Sequence, residues 1–282
     1  MIKYPVGRRP GSGGEGPNGA GRRRPPSRRL TAGASRDTRD IPDIQRCPRC
    51  SPPSTPSVTP RPRVCARSTL GPMTRLHLFD MDGTLLYGTA AAIEISRQLG
   101  VEREIAELEG AFLAGGMTPP EFAVRACELW GELREEQVAA AFASAPWLAG
   151  IREVWAAIRA RGERCAVISL SPSFFVERLL DWGVDEAHGS RWPSVPFQEP
   201  VDPAGILDVA AKVRITDELC EKFGLTRADC VAYGDSMSDV ALFAALPVSV
   251  AVNADHHVRD SATHAYTGRD LREAYELVGD PR

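Results

Sequence analysis

Four short stretches of this chain hold residue types that can do chemistry. The first is Leu76-His77-Leu78-Phe79-Asp80-Met81-Asp82-Gly83-Thr84, an apolar run that stops at two acids and turns at a glycine. In a strand, residues i and i+2 point to one side, so Asp80 and Asp82 can face the same reacting group. That is the arrangement of a nucleophile beside an acid/base. The same letters also spell an ordinary turn, since Asp and Gly favour turns for local backbone reasons. Three later stretches bear on the choice. Ser169 ends the run Arg164-Cys165-Ala166-Val167-Ile168 just ahead of Ser171-Pro172, read as the N-cap and first residue of a helix. It therefore stands where a helix N-terminus receives an anion, or serves as a second cap for that helix. Lys212 lies in Ala210-Ala211-Lys212-Val213-Arg214, and its case rests on context, because a lone lysine reads as a solvated charge. Asp235 closes Asp229-Cys230-Val231-Ala232-Tyr233-Gly234 as a second acid at a strand's carboxyl end, where ligands bind in open α/β sheets. Asp239, three residues after Ser236, has the spacing of a capping box.

The elements that must carry these groups alternate. Strands are expected at the four runs around Leu76, Arg164, Asp229 and Pro247–Asn253, with short ones near Asp185–His188 and His264–Tyr266. Continuous apolar runs of this kind suit a parallel sheet buried on both faces. Between the first strand and the next α/β unit, the pattern predicts about sixty residues of helix. Ala90 to Leu99 closes at Gly100, and Glu104 to Ala114 closes at Gly115. Thr118-Pro119 with Glu121 opens a third helix to about Trp130, and a fourth runs from Arg134 to Ser144. An insertion directly after a catalytic strand is well placed to cover the site. Further helices are expected over Ile151–Arg161, from Ser171 to Trp182, from Asp202 or Ala204, over Thr216–Phe223, from Ser236 to Ala245 and over Leu271–Val278. The connection from Trp192 to Pro203 has room for a small hairpin.

Charge divides the chain. Residues 1–72 carry 15 Lys+Arg against 4 Asp+Glu, while the remainder is net −14, so two physically different segments are joined. The first 72 residues also hold 9 Gly and 13 Pro and no apolar periodicity, which predicts an unfolded Arg/Pro/Gly-rich extension. Cys47-Pro48-Arg49-Cys50 is half a zinc site without its second pair, and Gly11-Ser12-Gly13-Gly14-Glu15-Gly16 lacks the flanking strand and helix of a dinucleotide site. Two readings of the extension stand: Met73 is the biological start, or the segment serves in targeting. No apolar stretch is long enough for a membrane span or a secretory signal, and the scattered cysteines read as reduced thiols, which predicts a cytoplasmic protein.

From Met73 onward the chain resembles the haloacid dehalogenase superfamily of phosphohydrolases, in its phosphoserine phosphatase-like branch. The resemblance rests on Asp80-Met81-Asp82-Gly83-Thr84, Ser169, Lys212 and Gly234-Asp235-Ser236-Met237-Ser238-Asp239. It implies a doubly wound α/β core over residues 73–87 and 149–282 with a small helical cap over 88–148. It implies Asp80 as nucleophile and Asp82 as acid/base, with Ser169 and Lys212 holding the phosphoryl oxygens. Asp80 and Asp235 would ligate Mg²⁺ through side chains and Asp82 through its backbone carbonyl, because carboxylates cannot crowd a phosphate without a cation. Asp239 and Thr84 have supporting roles.

The pattern departs where substrate is chosen. Phosphoserine phosphatases place a glutamate for the substrate's ammonium where this chain has Thr89, its next acid being Glu94. The lid arginine for the substrate carboxylate corresponds to Arg125. Leu170-Ser171-Pro172 replaces the usual glycines after the serine, and Ser238 the usual Asn. A small-molecule phosphate ester is the expected partner, with O-phosphoserine one candidate. Residues 88–148 hold 10 Glu and 4 Arg, which disfavours nucleic acid. The competing readings are a phosphomutase and a non-catalytic regulatory protein that keeps the phosphate pocket.

Overall fold

The computed structural model describes residues 75–279. The extension 1–72, its cysteine pair and the start at Met73 lie outside the described residues.

Six strands form one parallel sheet: β1 (Leu76–Phe79), β2 (Arg164–Pro172), β3 (Glu186–Ser190), β4 (Cys230–Gly234), β5 (Val248–Val252) and β6 (His264–Tyr266). Their order is β3-β2-β1-β4-β5-β6. The order reverses between β1 and β4, which pair in parallel from Leu76 with Cys230 to Phe79 with Tyr233. Connections on either side of this point leave the sheet in opposite directions, so a crevice opens beyond the carboxyl ends of β1 and β4.

Alternation along the strands builds two apolar layers. Leu76 and Leu78 join Ala166, Ile215, Leu219 and Phe243, the last three carried by α7 (Val209–Phe223) and α8 (Val240–Ala245). Phe79 joins Val167, Val231 and Tyr233 on the opposite face, against Trp155 of α5 (Ile151–Ala160). Helices thus cover both faces, and the expected doubly wound α/β architecture is observed.

Four helices lie between Leu86 and Pro146: α1 (Ala91–Leu99), α2 (Glu102–Leu113), α3 (Pro119–Leu129) and α4 (Glu135–Ser144). Thr118 caps α3 in a capping box with Glu121. The chain leaves and returns through a narrow neck, in which Tyr87 N–H donates to Pro146 O and Leu148 N–H to Leu85 O, each at 2.9 Å. Ile95, Ile105, Ala126, Trp130 and Phe142 of this insertion are buried in the same apolar layer as Phe79. Aromatic contacts carry the packing across: Trp130 stacks on Trp192, and Phe142 meets Phe175 of α6 (Ser173–Val176) edge-on.

Some local expectations are corrected. β2 continues through Ser171 to Pro172 rather than ending at Ser169, and α6 is a single turn followed by a 3-10 turn, Glu177–Trp182. Ser171 is therefore no helix cap. The residues from Trp192 to Pro203 hold no hairpin, and a three-residue 3-10 turn, Pro203–Gly205, stands where a helix from Asp202 or Ala204 was expected. The helix expected over Thr216–Phe223 begins earlier, at Val209, capped by Asp208, which places Lys212 within its first turn. Two short elements, α9 (His256–Arg259) and α10 (Leu271–Glu276), complete the described fold.

Candidate active site

Asp80 follows β1 directly, and its N–H donates to Tyr233 O of β4 at 2.8 Å, which pins it at the switch point. Its Oδ1 accepts from Lys212 Nζ at 2.8 Å, while Oδ2 has no hydrogen bond among the described residues. Lys212 is fully buried, and its three protons go to Asp80, to Asp239 Oδ1 at 2.6 Å and to Ser238 Oγ at 3.1 Å. Burial pulls the lysine's pKa down, but the charges of Asp239 and Asp80 outweigh it and hold the ammonium above its ordinary value.

Asp239 is spent on this lysine and on the backbone. Its Oδ2 accepts from the N–H groups of Asp235 and Ser236, each at 3.2 Å, so it reaches back over the loop as a capping-box acid does while anchoring Lys212. Gly234 permits the approach, since a Cβ there would lie 2.3 Å from Asp239 Cγ.

Asp235 turns toward the first motif. Thr84 Oγ1 donates to its Oδ1 at 3.2 Å, and Gly83, at φ +76°, lies so close that a Cβ would sit 2.0 Å from Asp235 Oδ2. A glycine is thus required twice over at position 83, for its left-handed backbone and for the space it leaves.

Asp82 is held by three donors. Ala91 N–H, at the start of α1, donates to Oδ1 at 2.7 Å. Ser169 Oγ and Ser171 Oγ both donate to Oδ2, at 2.9 and 2.8 Å. Ser171 was not foreseen as a site residue. The signal available was its i+2 spacing from Ser169, which in a continuing strand puts both hydroxyls on one side.

The electrostatics ask for positive charge. Of the four aspartates, Asp80 and Asp239 share the Lys212 ammonium, while Asp82 and Asp235 are held by neutral donors. Burial pushes Asp80 well above the usual carboxylate range, with Lys212 opposing and the other three acids adding to the rise. Burial and then the charge of Asp239 push Asp235 up to about 7. Carboxylate oxygens of Asp80, Asp235 and Asp239 lie within 4.8 Å of one another. This all-oxygen set fits a hard divalent cation such as Mg²⁺. Asp80 and Asp235 each have an oxygen without a hydrogen bond among the described residues, whereas both oxygens of Asp239 are engaged, so the first two are the better ligands.

The substrate side is less as expected. Glu94 is buried and neutralised, accepting from Thr89 Oγ1 at 2.7 Å and from Arg97 Nη1 at 2.6 Å. Arg125 is exposed on α3 and lines a cleft with Pro120, Glu121, Glu128 and Pro203, a group that includes none of the four aspartates. Glu109 of α2 is a cap residue that sequence reasoning passed over. Burial and the charge of Asp82 push its carboxyl up to about 7.

Comparison with known proteins shows the family to which the chain belongs. The family model described as haloacid dehalogenase-like hydrolase matches residues 77–244. A phosphoserine phosphatase from Methanocaldococcus jannaschii is 26% identical over 206 residues, covering 72% of this chain and 97% of that protein. One from Archaeoglobus fulgidus is also 26% identical over 206 residues, but the chain spans only 60% of its length. A solved structure described as a phospho-aspartyl intermediate analogue of phosphoserine phosphatase superposes with a TM-score of 0.62 at 25% identity, covering 73% of this chain and 99% of that one. This chain is a member of the haloacid dehalogenase-like hydrolase family, similar within it to phosphoserine phosphatases.

Proposed function

We propose that this hydrolase is a Mg²⁺-dependent phosphomonoesterase that works on a small phosphorylated metabolite through an aspartyl-phosphate on Asp80. The observation that carries the reading is the pairing of Asp80, with one oxygen held by Lys212 and the other without a hydrogen bond, and Asp82, oriented by three donors, at the switch point of the sheet. An acid without a hydrogen bond on its outer oxygen suits attack, and a fully oriented neighbour suits proton transfer.

In the first half-reaction an Asp80 oxygen bonds to phosphorus as the ester P–O bond breaks, and the Asp82 carboxylic acid gives its proton to the leaving oxygen. In the second, water attacks phosphorus, Asp82 takes a proton from that water, and the bond to Asp80 breaks to release phosphate. Lys212 spreads the charge that builds on the phosphoryl oxygens. Its proton on Ser238 is the one free to turn to substrate, since that partner is neutral and the contact is the longest of the three. Asp239 holds the lysine while it turns.

Mg²⁺, when bound, would neutralise the carboxylates and the incoming phosphate. Asp80 and Asp235 would hold it with side chains and Asp82 with its backbone carbonyl. O-phosphoserine is one candidate ester, by similarity to the relatives named above. The four cysteines of the described residues are free thiols, which fits a reducing, cytoplasmic setting. The test is phosphate release by the full chain with Mg²⁺ from O-phosphoserine, sugar phosphates and an aryl phosphate, beside Asp80→Asn. Turnover by the wild type and its loss in the folded variant are expected. Undiminished release by the variant would remove Asp80 as nucleophile.

A further inference from the structure

Two hydroxyls converge on a single oxygen of Asp82, and only one of them is needed to orient a resting carboxylate. Ser169 and Ser171 stand two residues apart on β2 and both donate to Asp82 Oδ2. A serine hydroxyl has one hydrogen. If Ser169 gives its hydrogen to a phosphoryl oxygen, its bond to Asp82 is lost at the moment when that acid must be aligned. Resting on the phosphomonoesterase reading above, we propose that Ser171 is a positioning residue that keeps Asp82 aligned through both half-reactions and so frees Ser169 for the phosphoryl group.

The backbone around Ser171 is built to hold still. Ser190 Oγ donates to Leu170 O at 2.7 Å, and Ser171 N–H donates to Ser169 Oγ at 3.1 Å. Gly189 of β3 packs so tightly here that a Cβ would lie 2.8 Å from Ser171 O and from Ser173 Cα. These contacts carry β2 past Ser169 far enough to bring a second hydroxyl to the same side.

Hydroxyl chemistry suits a partner that changes protonation state. The backbone N–H of Ala91 can only donate, so it serves an unprotonated oxygen. A hydroxyl donates to a carboxylate and accepts from a carboxylic acid by rotating about one bond. Ser171 can therefore follow Asp82 as it gives a proton to the leaving group and later takes one from water.

The leaving group provides the readout. An alkoxide needs the proton from Asp82, whereas a nitrophenolate departs without it, so misalignment of the acid penalises alkyl esters selectively. The comparison is made on kcat/KM, which reports the steps up to loss of the leaving group. The full chain with Mg²⁺ is assayed on glycerol phosphate and on nitrophenyl phosphate as wild type, Ser171→Ala and Ser171→Thr. Ser171→Ala is expected to lose about tenfold more on the alkyl than on the aryl ester, part of the factor general acid catalysis supplies. Ser171→Thr, which keeps the hydroxyl, is expected to recover most of that difference. Equal losses on both esters, no loss, or failure of threonine to rescue would overturn the role of Ser171 while leaving the phosphatase intact. A wild type that hydrolyses neither these two esters nor any ester of the wider panel above would overturn the phosphomonoesterase reading and the inference with it.

Discussion

Glu94 and Glu109 show how burial and pairing set two acids of the insertion apart. Glu94 is buried but has spent both oxygens on Thr89 and Arg97. Glu109 is less buried, and its carboxyl, held up to about 7 by burial and by the charge of Asp82, has no cation to neutralise it among the described residues. A substrate ammonium would lower that energy by supplying a charge-assisted hydrogen bond. Glu109→Gln is therefore expected to raise KM for O-phosphoserine about tenfold more than for a sugar phosphate, the size of one such bond. Steady-state kinetics on the two esters checks this, and parallel changes in KM would show that Glu109 takes no part in choosing between them.

At the scale of elements, the end of β2 carries the most consequence. It pairs with β3 in register from Ala166 with Glu186 to Ile168 with His188, then shifts before Pro172 meets Ser190. The irregularity lets the strand persist while its direction changes, and Gly189 leaves the space that the change requires. Gly189→Ala must push β3 away from Ser171 and Ser173. The expected cost is about 1–3 kcal/mol, typical of overpacking, read as a lower denaturant midpoint. A midpoint unchanged from wild type would mean that the loop absorbs the methyl group freely.

Across the whole molecule, the sheet carries a polar cluster inside its apolar layer. His77 is fully buried on β1, with Nδ1 3.2 Å from Tyr233 Oη and Nε2 3.1 Å from Glu163 Oε2. Burial lowers its pKa despite the pull of Glu163, so the native state keeps the ring neutral. The unfolded chain binds a proton near its ordinary value of about 6.5, where the native state does not. Stability from this group therefore falls as pH drops below about 6.5 and levels off beneath the lowered native value, with a slope of at most ~1.4 kcal/mol per pH unit. The raised pKa values of Asp80 and Asp235 act in the opposite sense, so a variant comparison isolates the histidine. His77→Gln keeps hydrogen-bonding capacity and removes the titration. Its loss of stability between about pH 7.5 and about pH 5.5 is expected to be smaller than that of wild type in denaturant titrations. Identical losses would place the proton uptake elsewhere.

Much of the framework is written locally. Apolar runs that stop at Asp80 and Asp235 specify buried parallel strands with acids at their ends, and the capping box at Thr118 or the left-handed glycine at position 100 specifies helix ends, because each depends on neighbours a few residues away. The family likeness was legible for the same reason, since its motifs are short and contiguous. Residue partners were not. Lys212 meets Asp80 across 132 residues, and Ser169 meets Asp82 across 87. Such contacts follow from strand order and crossover direction, which no local pattern encodes. The helix that carries Lys212 also begins earlier than its propensity suggested, with Asp208 as its cap. Ser171 shows the difference most sharply: next to a proline its sequence reads as a helix cap, and only pairing with β3 keeps it in the strand, where its hydroxyl reaches Asp82. The sequence determined which acids stand at which strand ends; tertiary structure decided which groups hold them, because hydrogen bonds over such separations exist only once the sheet has assembled.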